Sequence, residues 1–210
     1  DYAFCGEGLI NLHEATFDPK WLAAAAELTD VAITHYYDRE NGAFFFTADD
    51  AEELLARTKS PRDGAIPSGN SVLASNLLRL AILLDRPDFR EKADSIMRAF
   101  KPLAERSPMS FERLMCAVDF RHGRPKEIVV IGPSGDAATQ ALLDTVFARY
   151  LPNKVVVWNA DDVPAEDTSR ALLRGKKMIQ GRPTAYVCEN FRCQVPTSDP
   201  EELAKQLAAN

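Results

Sequence analysis

Residues 61–84, PRDGAIPSGNSVLASNLLRLAILL, constrain the fold more than any other part of the sequence. A polar, turn-forming segment ending at Asn70 precedes an apolar run that is too long for a β-strand. Ser68 is placed to cap a helix, because its hydroxyl can accept from the free N–H groups of the first turn. The helix is apolar nearly all round, except for a narrow polar stripe formed by Ser71, Ser75 and Arg79. We therefore expect a buried helix whose polar stripe lines a cavity.

A shift of the sequence by 68 positions (87 − 19) reveals an internal repeat of helical hairpins. Pro19 then falls on Pro87 and Trp21 on Phe89, and no gap is needed. The apolar spacing predicts an inner and an outer helix in each copy, followed by a further buried helix. The predicted helices cover residues 2–16, 19–36, 69–84, 87–103 and 109–120. Because repeated units bury their faces against one another, residues 1–122 are expected to form part of a helical-hairpin domain.

The long link between the hairpins contains an aromatic segment. Asn41-Gly42 is a turn signal, and residues 43–47, AFFFT, predict a short strand or extended segment. We expect this link to fold back across the end of the helical domain at which the inner helices begin. That end would hold Asp1, Ser68 and Ser110.

The hydrophobic period changes in the second half of the chain. The predicted elements are strands at 127–132, 153–158, 183–188 and 193–195, and helices at 136–150, 167–176 and 199–207. This β-α-β-α-β-β-α order predicts a small α/β lobe over residues 126–210. The basic and polar segment 121–126 is a plausible boundary.

The order of these elements resembles a thioredoxin-type fold, and so does the segment Gly181-Arg182-Pro183-Thr184 before the third strand. In that fold a cis-proline begins this strand, which implies a cis bond at Pro183. The segment 132–135, GPSG, follows the first strand where such proteins carry Cys-x-x-Cys. Since no thiolate pair is present there, dithiol exchange has no nucleophile, and we expect the lobe to be redox-silent.

The whole chain resembles the C-terminal portion of the spermatogenesis-associated thioredoxin-domain family. The blocks that carry the resemblance are DYAF at 1–4, Gly64 with PSGNS at 67–71, YLPNK at 150–154 and GRPTAYVC at 181–188. The resemblance implies a longer protein with an N-terminal thioredoxin-like domain, followed by an α/α toroid similar to six-hairpin glycosidases and N-acylglucosamine 2-epimerases. This chain would then be α plus α/β, with part of the toroid followed by the small lobe. It would have the missing N-terminal portion as a partner.

Composition excludes some partners. The chain has 25 Lys and Arg against 31 Asp and Glu, a net charge of −6 with no basic cluster, which argues against nucleic acid. No apolar run approaches the roughly 20 residues of a membrane span, and no signal peptide is evident. Four cysteines in 210 residues do not suggest a disulfide scaffold, so we expect a cytoplasmic protein.

The best candidate site is the edge at which the inner helices begin. Carboxylates and amides there could bind sugar hydroxyls, and Tyr2 or Phe45 could pack on the sugar face. The candidate residues are Asp1, Tyr2, Asp63, Ser68, Asn70 and Ser71. The alternative is structural: Ser68 and Asn70 cap a helix while Asp63 closes a turn. A non-catalytic scaffold that positions the missing domain is therefore the competing hypothesis.

Catalytic residues cannot be assigned from the spacing. General acid–base chemistry on a sugar needs paired carboxylates or a suitable histidine. The available carboxylates are Asp1, Glu7, Glu14 and Asp63, and no spacing singles out a pair. The histidines His13, His35 and His122 are each expected to have exposed or structural roles. We expect no cofactor.

The cysteines and the glycine-rich segment give weak signals. Cys188 and Cys193 flank a predicted hairpin turn, where packing or a reversible disulfide is favoured over half of a zinc site. Cys5 and Cys116 are expected to be small hydrophobic residues on buried helices. The segment 132–135 lacks the spacing of a phosphate-binding loop, and the adjacent Asp136 would repel an anion. We expect no metal site, and we expect the incomplete ring of hairpins to self-associate through its uncovered apolar flanks.

Overall fold

The computed structural model describes residues 1–52, 55–162 and 171–208. The chain packs into two compact units. The first, the helical unit, consists of Asp1–Ala81 with Arg86–His122; the second, the α/β unit, consists of Gly123–Asn210 together with Ile82–Asp85. None of the described helices is both long enough and apolar enough to span a membrane.

The described helices of the first half follow the predicted hairpins. They are α1 (Tyr2–Thr16), α2 (Pro19–Tyr36), α3 (Gly69–Leu83), α4 (Pro87–Arg106) and α5 (Glu112–His122), with a 3₁₀ turn at Pro108–Ser110. The two outer helices, α2 and α4, each begin with the proline that the 68-residue shift superimposes. Proline is suited to this position because it has no N–H to leave unpaired and its φ is already helical.

Local capping fixes the connection within the first hairpin. The carboxylate of Asp18 accepts a hydrogen bond of 3.0 Å from the N–H of Lys20 in the first turn of α2. Phe17 adopts a left-handed conformation at φ 56° that ends α1. The buried His13 ring lies with its Nδ1 3.2 Å from the carbonyl oxygen of Asp18, which ties the turn to α1.

Helix α3 lies at the centre of the helical unit. Its residues Val72, Ala74, Leu77 and Leu80 are fully buried. Equally buried side chains come from the other helices, namely Ile10, Ala25, Phe89, Ile96, Phe111 and Leu114. Burial of each large aliphatic or aromatic side chain contributes about 1.5–3 kcal/mol, so the core around this helix stabilises the unit.

The α/β unit contains a four-stranded mixed sheet among its described residues. Its elements are β1 (Lys126–Ile131), α6 (Ala137–Phe147), β2 (Lys154–Asn159), a 3₁₀ turn (Ala171–Leu173), β3 (Thr184–Glu189), β4 (Arg192–Cys193) and α7 (Pro200–Ala208). The strand order is β2-β1-β3-β4. Strand β1 pairs parallel with β2 and antiparallel with β3, and β3 pairs antiparallel with β4. All six residues of β1 are buried, although successive side chains of a strand point to opposite faces, so both faces of the sheet are covered at this strand.

Several predicted details need correction. The predicted strand at 193–195 is shorter and lies earlier, at Arg192–Cys193. The predicted helix at 167–176 falls partly on residues 163–170, which lie outside the described residues, and its described remainder contains only the 3₁₀ turn. The described residues contain no cis peptide bond, so the bond before Pro183 is trans.

The prediction that Cys5 and Cys116 are buried is also wrong. Both side chains are exposed. The buried residues of α1 are Ala3, Gly6, Ile10 and His13, and those of α5 are Leu114, Ala117 and Phe120. Each set follows the helical period, and each cysteine lies off the buried face that the set defines.

Gly132 provides a test of packing at the end of β1. A Cβ atom at this position would lie 2.8 Å from the Cβ of Pro183 and would also overlap the hydroxyl of Thr139. We expect Gly132→Ala to lower the free energy of unfolding by about 2 kcal/mol, because extra volume in a packed site forces neighbours to shift. Urea unfolding followed by circular dichroism measures the change.

The matched control is Gly8→Ala in α1, where the same added methyl group would meet no atom within 4 Å. This variant should gain about 1 kcal/mol through helix propensity. Equal effects of the two substitutions would show that the close approach at Gly132 is unimportant.

Candidate functional site

A cleft of about 450 Å³ lies in the helical unit where α1 and α3 begin. It is lined by residues 1–4, 44–46, 60, 62 and 66–70, and by Ala32, Tyr36 and Leu73. Four of the six predicted site residues are among them, namely Asp1, Tyr2, Ser68 and Asn70. The other two, Asp63 and Ser71, do not line the cleft. Whether the cleft binds a ligand stays a prediction.

The aromatic wall of the cleft is held in place by the side chain of Asn70. Its Oδ1 accepts a 2.8 Å hydrogen bond from the N–H of Phe44, and its Nδ2 donates to the carbonyl of Phe44 at 2.9 Å. The Asn70 side chain therefore supplies to Phe44 the two backbone hydrogen bonds that a neighbouring strand would supply. The link does fold back onto the start of α3, as the sequence predicts.

A second set of contacts fixes the turn that precedes Phe44. Asp38 accepts hydrogen bonds from the N–H groups of Glu40 and Asn41, and its other oxygen lies 2.7 Å from Nζ of Lys59. The same ammonium group donates to the carbonyl of Gly42 at 2.7 Å. These contacts, first of all the one with Lys59, hold the pKa of the Asp38 carboxyl far below its usual range.

Ser68 and Asp63 have the structural roles that the alternative interpretation gives them. The Ser68 hydroxyl accepts from the N–H of Asn70 at 3.2 Å and donates to the carbonyl of Ser60 at 2.6 Å. One oxygen of Asp63 accepts from the N–H of Ser68 at 2.8 Å, and the other accepts from the N–H of Arg113 at 2.9 Å. Asp63 thus joins the starts of α3 and α5.

The polar stripe of α3 does not line the cleft, so this expectation is wrong. Ser71 is 1% exposed and its hydroxyl has no hydrogen-bond partner. Arg79 donates to Glu14 and to Asn11 of α1, at 2.8 Å in each case. Burial lowers the pKa of Arg79, and the Glu14 carboxylate opposes that effect. Of the three stripe residues, Arg79 packs against α1 through an ion pair with Glu14.

The groups left to meet a ligand are aromatic and charged. The rings of Tyr2 and Tyr36 lie 5.5 Å apart, and burial raises the pKa of Tyr36. At the wall formed by the link, Phe46 is 75% exposed. Asp1 makes no capping hydrogen bond through its side chain, and Arg62 supplies a guanidinium group to the lining.

Tyr36, Phe46 and Arg62 line the cleft but are not among the residues that the sequence predicts for the site. Phe46 and Arg62 both belong to the link between the hairpins. The sequence predicts that this link crosses the helix starts, and this prediction could have identified both residues. Phe45, which the sequence did single out, has the guanidinium of Arg57 4.3 Å from its ring centre and the Lys59 ammonium 5.0 Å away. The positive charges over this ring make it a poorer sugar-stacking surface than Phe46.

The carboxylates considered for acid–base chemistry are mostly engaged elsewhere. Glu7 forms an ion pair with Arg113, and Glu14 forms one with Arg79. Both oxygens of Asp63 accept backbone hydrogen bonds, as described above. Among the described residues, Asp1 is therefore the only one of these four carboxylates that lines the cleft.

One cluster of potential metal ligands occurs outside the cleft lining. His35 Nδ1 and carboxylate oxygens of Asp49 and Asp50 lie within 4.8 Å of one another. Both carboxylate side chains are more than half exposed, and Nδ1 is 2.9 Å from Asp49. The hydrogen bond with His35 lowers the pKa of Asp49. The hydrogen bond between His35 and Asp49 accounts for the closeness of these two side chains.

Together, the helical hairpins and the small mixed sheet define a two-unit α plus α/β protein. The chain is homologous to Spermatogenesis-associated protein 20 of Rattus norvegicus and of Homo sapiens, with 37% identity in each case over 99% of its length. It is also similar to Uncharacterized protein B0495.5 of Caenorhabditis elegans, with 26% identity over 97% of the chain. No family model matches the chain.

These relatives are much longer than the chain. It spans about a quarter of their length, 26% of the rat protein and 27% of the human and nematode proteins. The homology extends along both units and supports the resemblance to the spermatogenesis-associated thioredoxin-domain family.

The turn at Asp38 gives a pH prediction. A carboxyl whose pKa is lowered on folding stabilises the protein above its unfolded-state pKa, near 4, and this stabilisation is lost as the pH falls toward the folded-state value. We expect wild-type protein to lose stability between about pH 4 and pH 2 more steeply than Asp38→Asn does, in urea unfolding at each pH. Glu40→Gln, which removes an exposed carboxylate from the same turn, should retain the wild-type slope. Parallel wild-type and Asp38→Asn profiles would contradict the assignment.

Proposed function

We propose that the chain is the C-terminal part of a protein of the spermatogenesis-associated thioredoxin-domain family, and that its helical unit is a segment of an α/α toroid. The 68-residue repeat supports this proposal, because it pairs α1 with α3 and α2 with α4. The turn that begins each outer helix is also repeated, with Pro19 and Pro87 at the first helical position. In a toroid of this type the inner helices begin at one edge, and the cleft lies where α1 and α3 begin.

The α/β unit is proposed to be a thioredoxin-like lobe without a Cys-x-x-Cys motif. The mixed sheet, with β1 parallel to β2 and antiparallel to β3, supports this proposal. The segment after β1 is GPSG, and its Asp136 caps α6 by accepting from the N–H of Thr139 at 2.8 Å. A carboxylate at this helix start also disfavours phosphate binding.

For the helical unit, the function that the geometry supports best is sugar binding in the cleft. The observation that carries the proposal is an aromatic-walled cleft of about 450 Å³ with charged groups at its edge. Ligand sites are concave and mostly apolar, with a few polar groups that fix orientation. In this proposal Tyr2 and Phe46 pack on the C–H face of the sugar, while Asp1 and Arg62 bind hydroxyls.

Catalysis, if the full-length protein is an enzyme, would be of the sugar epimerase, isomerase or glycosidase type. Of the carboxylates considered, Asp1 alone lines the described cleft, so the catalytic groups would come from parts of the protein beyond these 210 residues. We assign the present residues to binding only. The proposal includes a cytoplasmic location and no cofactor.

A scaffold function is the second candidate. In it the chain positions an N-terminal thioredoxin-like domain of the same protein and binds no sugar. The observation that favours it is that Ser68, Asp63 and Asn70 use their side-chain polar atoms within the protein. These residues then need no ligand to explain them.

A thermal-shift screen with mono- and disaccharides distinguishes the two candidates. A ligand that binds only the folded protein stabilises it by RT ln(1 + [L]/Kd), so we expect a Tm shift that grows with sugar concentration. Tyr2→Ala and Phe46→Ala should abolish the shift. The control is Tyr150→Ala, which removes an aromatic side chain that is 91% exposed in the α/β unit and should leave the shift intact.

The same screen on the full-length protein completes the test. No shift with any sugar in either protein would support the scaffold function. A shift that survives Phe46→Ala and Tyr2→Ala would place the sugar outside the cleft. Variants of Asn70 and Asp63 are unsuitable here, because both side chains hold helix starts and the link together.

Self-association is a further expectation for the isolated chain. A groove of about 630 Å³ between α4 and α5 has apolar walls that include Met97, Leu114, Met115 and Val118. In the full-length protein we propose that this groove packs against helices outside the present chain. In the isolated chain a second copy would cover it.

Light scattering over a range of concentrations measures this association. We expect Met115→Glu to shift the chain toward monomer, because burying a carboxylate in place of an apolar side chain in the contact carries a desolvation cost. The control is Met109→Glu, which alters a side chain that is 79% exposed and outside the groove. A monomeric wild-type chain at every concentration would refute the expectation.

A further inference from the structure

A disulfide closes the hairpin formed by β3 and β4. Cys188 and Cys193 are register partners on the two strands, and their sulfur atoms are bonded. Only one further pair, Glu189 with Arg192, separates them from the turn. The two turn residues, Asn190 and Phe191, both have positive φ values, 50° and 59°. Such a turn suits the twist of a hairpin but is unfavourable for a phenylalanine.

The two sulfur atoms have different surroundings. Cys188 is 4% exposed, whereas Cys193 lies on the exposed strand β4. The Lys176 ammonium group lies 3.3 Å from Sγ of Cys193. A thiolate formed at Cys193 would therefore have both access to solvent and a positive charge within hydrogen-bond distance.

Two other titratable side chains, Tyr186 and Glu127, lie near this pair. The Tyr186 ring lies 5.0 Å from Nζ of Lys176, and its hydroxyl donates to the carbonyl of Lys177 at 2.7 Å, which fixes the segment that carries the lysine. Glu127 of β1 is the register partner of Cys188, and its carboxylate accepts from the N–H of Phe191 at 3.0 Å. Burial lowers the pKa of Lys176, and Glu127 opposes that effect.

Glu189 and Arg192, the strand residues next to the two cysteines, lie on the face of the sheet opposite to the disulfide. Glu189 and Arg192 alternate with Cys188 and Cys193, and successive side chains of a strand point to opposite faces. Glu189 accordingly forms its ion pair with Lys126, the residue next to Glu127 on β1. The titratable groups identified on the same face of the sheet as the disulfide are therefore Lys176, Tyr186 and Glu127.

We propose that Cys188 and Cys193 form a reversible redox site that exchanges with small or protein dithiols. Cys193 is the sulfur that reacts with the partner, Cys188 is the resolving sulfur, and Lys176 stabilises the Cys193 thiolate. This site lies on the β3–β4 hairpin, and it departs from the redox-silent lobe that the absence of Cys-x-x-Cys after β1 predicts.

Reduction proceeds in two balanced steps. A thiolate of the dithiol attacks Sγ of Cys193, the Cys188–Cys193 bond breaks, and Cys188 leaves as a thiolate that takes up a proton. The second thiolate of the dithiol then attacks the dithiol sulfur that is bonded to Cys193 in the mixed disulfide. Cys193 leaves as a thiolate beside Lys176, and the dithiol becomes a disulfide. Two electrons pass to the protein.

The test uses the whole chain with Cys5→Ser and Cys116→Ser, since both of these free cysteines are exposed and would react. The reduced protein is alkylated with iodoacetamide over a pH range, and each cysteine is followed by peptide mass spectrometry. We expect Cys193 to react first, with an apparent pKa below the value of about 8.5 of a free cysteine. Lys176→Met should lower its rate near pH 7 by about tenfold, which corresponds to one pKa unit.

Two controls separate the charge effect from a general disturbance. Lys176→Arg should restore most of the rate, because it returns a positive charge to the site. Lys177→Met makes the same change one residue along the chain and should behave like the wild type. Equilibration with glutathione buffers should show that Lys176→Met shifts the pair toward the disulfide, because a stabilised thiolate favours the reduced form.

Several outcomes would overturn the proposal. One is that Cys188 is alkylated before Cys193. Another is that Lys176→Met leaves the alkylation rate of Cys193 unchanged. A third is that dithiothreitol leaves the disulfide intact in the folded protein while reducing it in urea. In that case the disulfide is a structural crosslink.

Discussion

The helical unit depends on a single amide side chain. Asn70 lies in the first turn of α3, the most buried helix, and bonds to both backbone polar groups of Phe44. Side chain and backbone are both buried there, so water cannot replace these hydrogen bonds. The core helix thereby fixes the position of the long link. The cleft exists because the link, with Phe46 and Arg62, is held across the start of α1 and α3.

This arrangement explains why polar residues cluster at the helix starts without being free for a ligand. Helix starts present unpaired N–H groups, and the surrounding loops present unpaired carbonyls. Ser68 and Asp63 satisfy both kinds of group at the starts of α3 and α5. The surface that remains for recognition is therefore mainly aromatic, and its specificity would depend on few charges.

The sequence predicts the elements well and the side-chain partners poorly. The period of apolar residues and the prolines at positions 19 and 87 are local signals, so the helices and their repeat follow from them. The partner of Asn70 is 26 residues away and the partner of Arg79 lies on another helix, and no local pattern reveals either. The same limit applies to Cys5, since its outward position depends on which face of α1 is covered. Four of the six predicted site residues line one cleft, because the helices that carry them begin at the same edge. The sequence repeat predicts this common edge.

Among the described residues, the sheet ends on one side in a strand of six residues. In the described part of the chain β2 is the terminal strand of the order, and its middle residues Val155, Val156 and Val157 are apolar and β-branched. A terminal strand that becomes uncovered in a partly unfolded molecule can pair its backbone groups with a foreign strand. The opposite border is short, because β4 has only two residues. Fibrillar growth from partly unfolded molecules would therefore start along β2, with the valine triplet as its template.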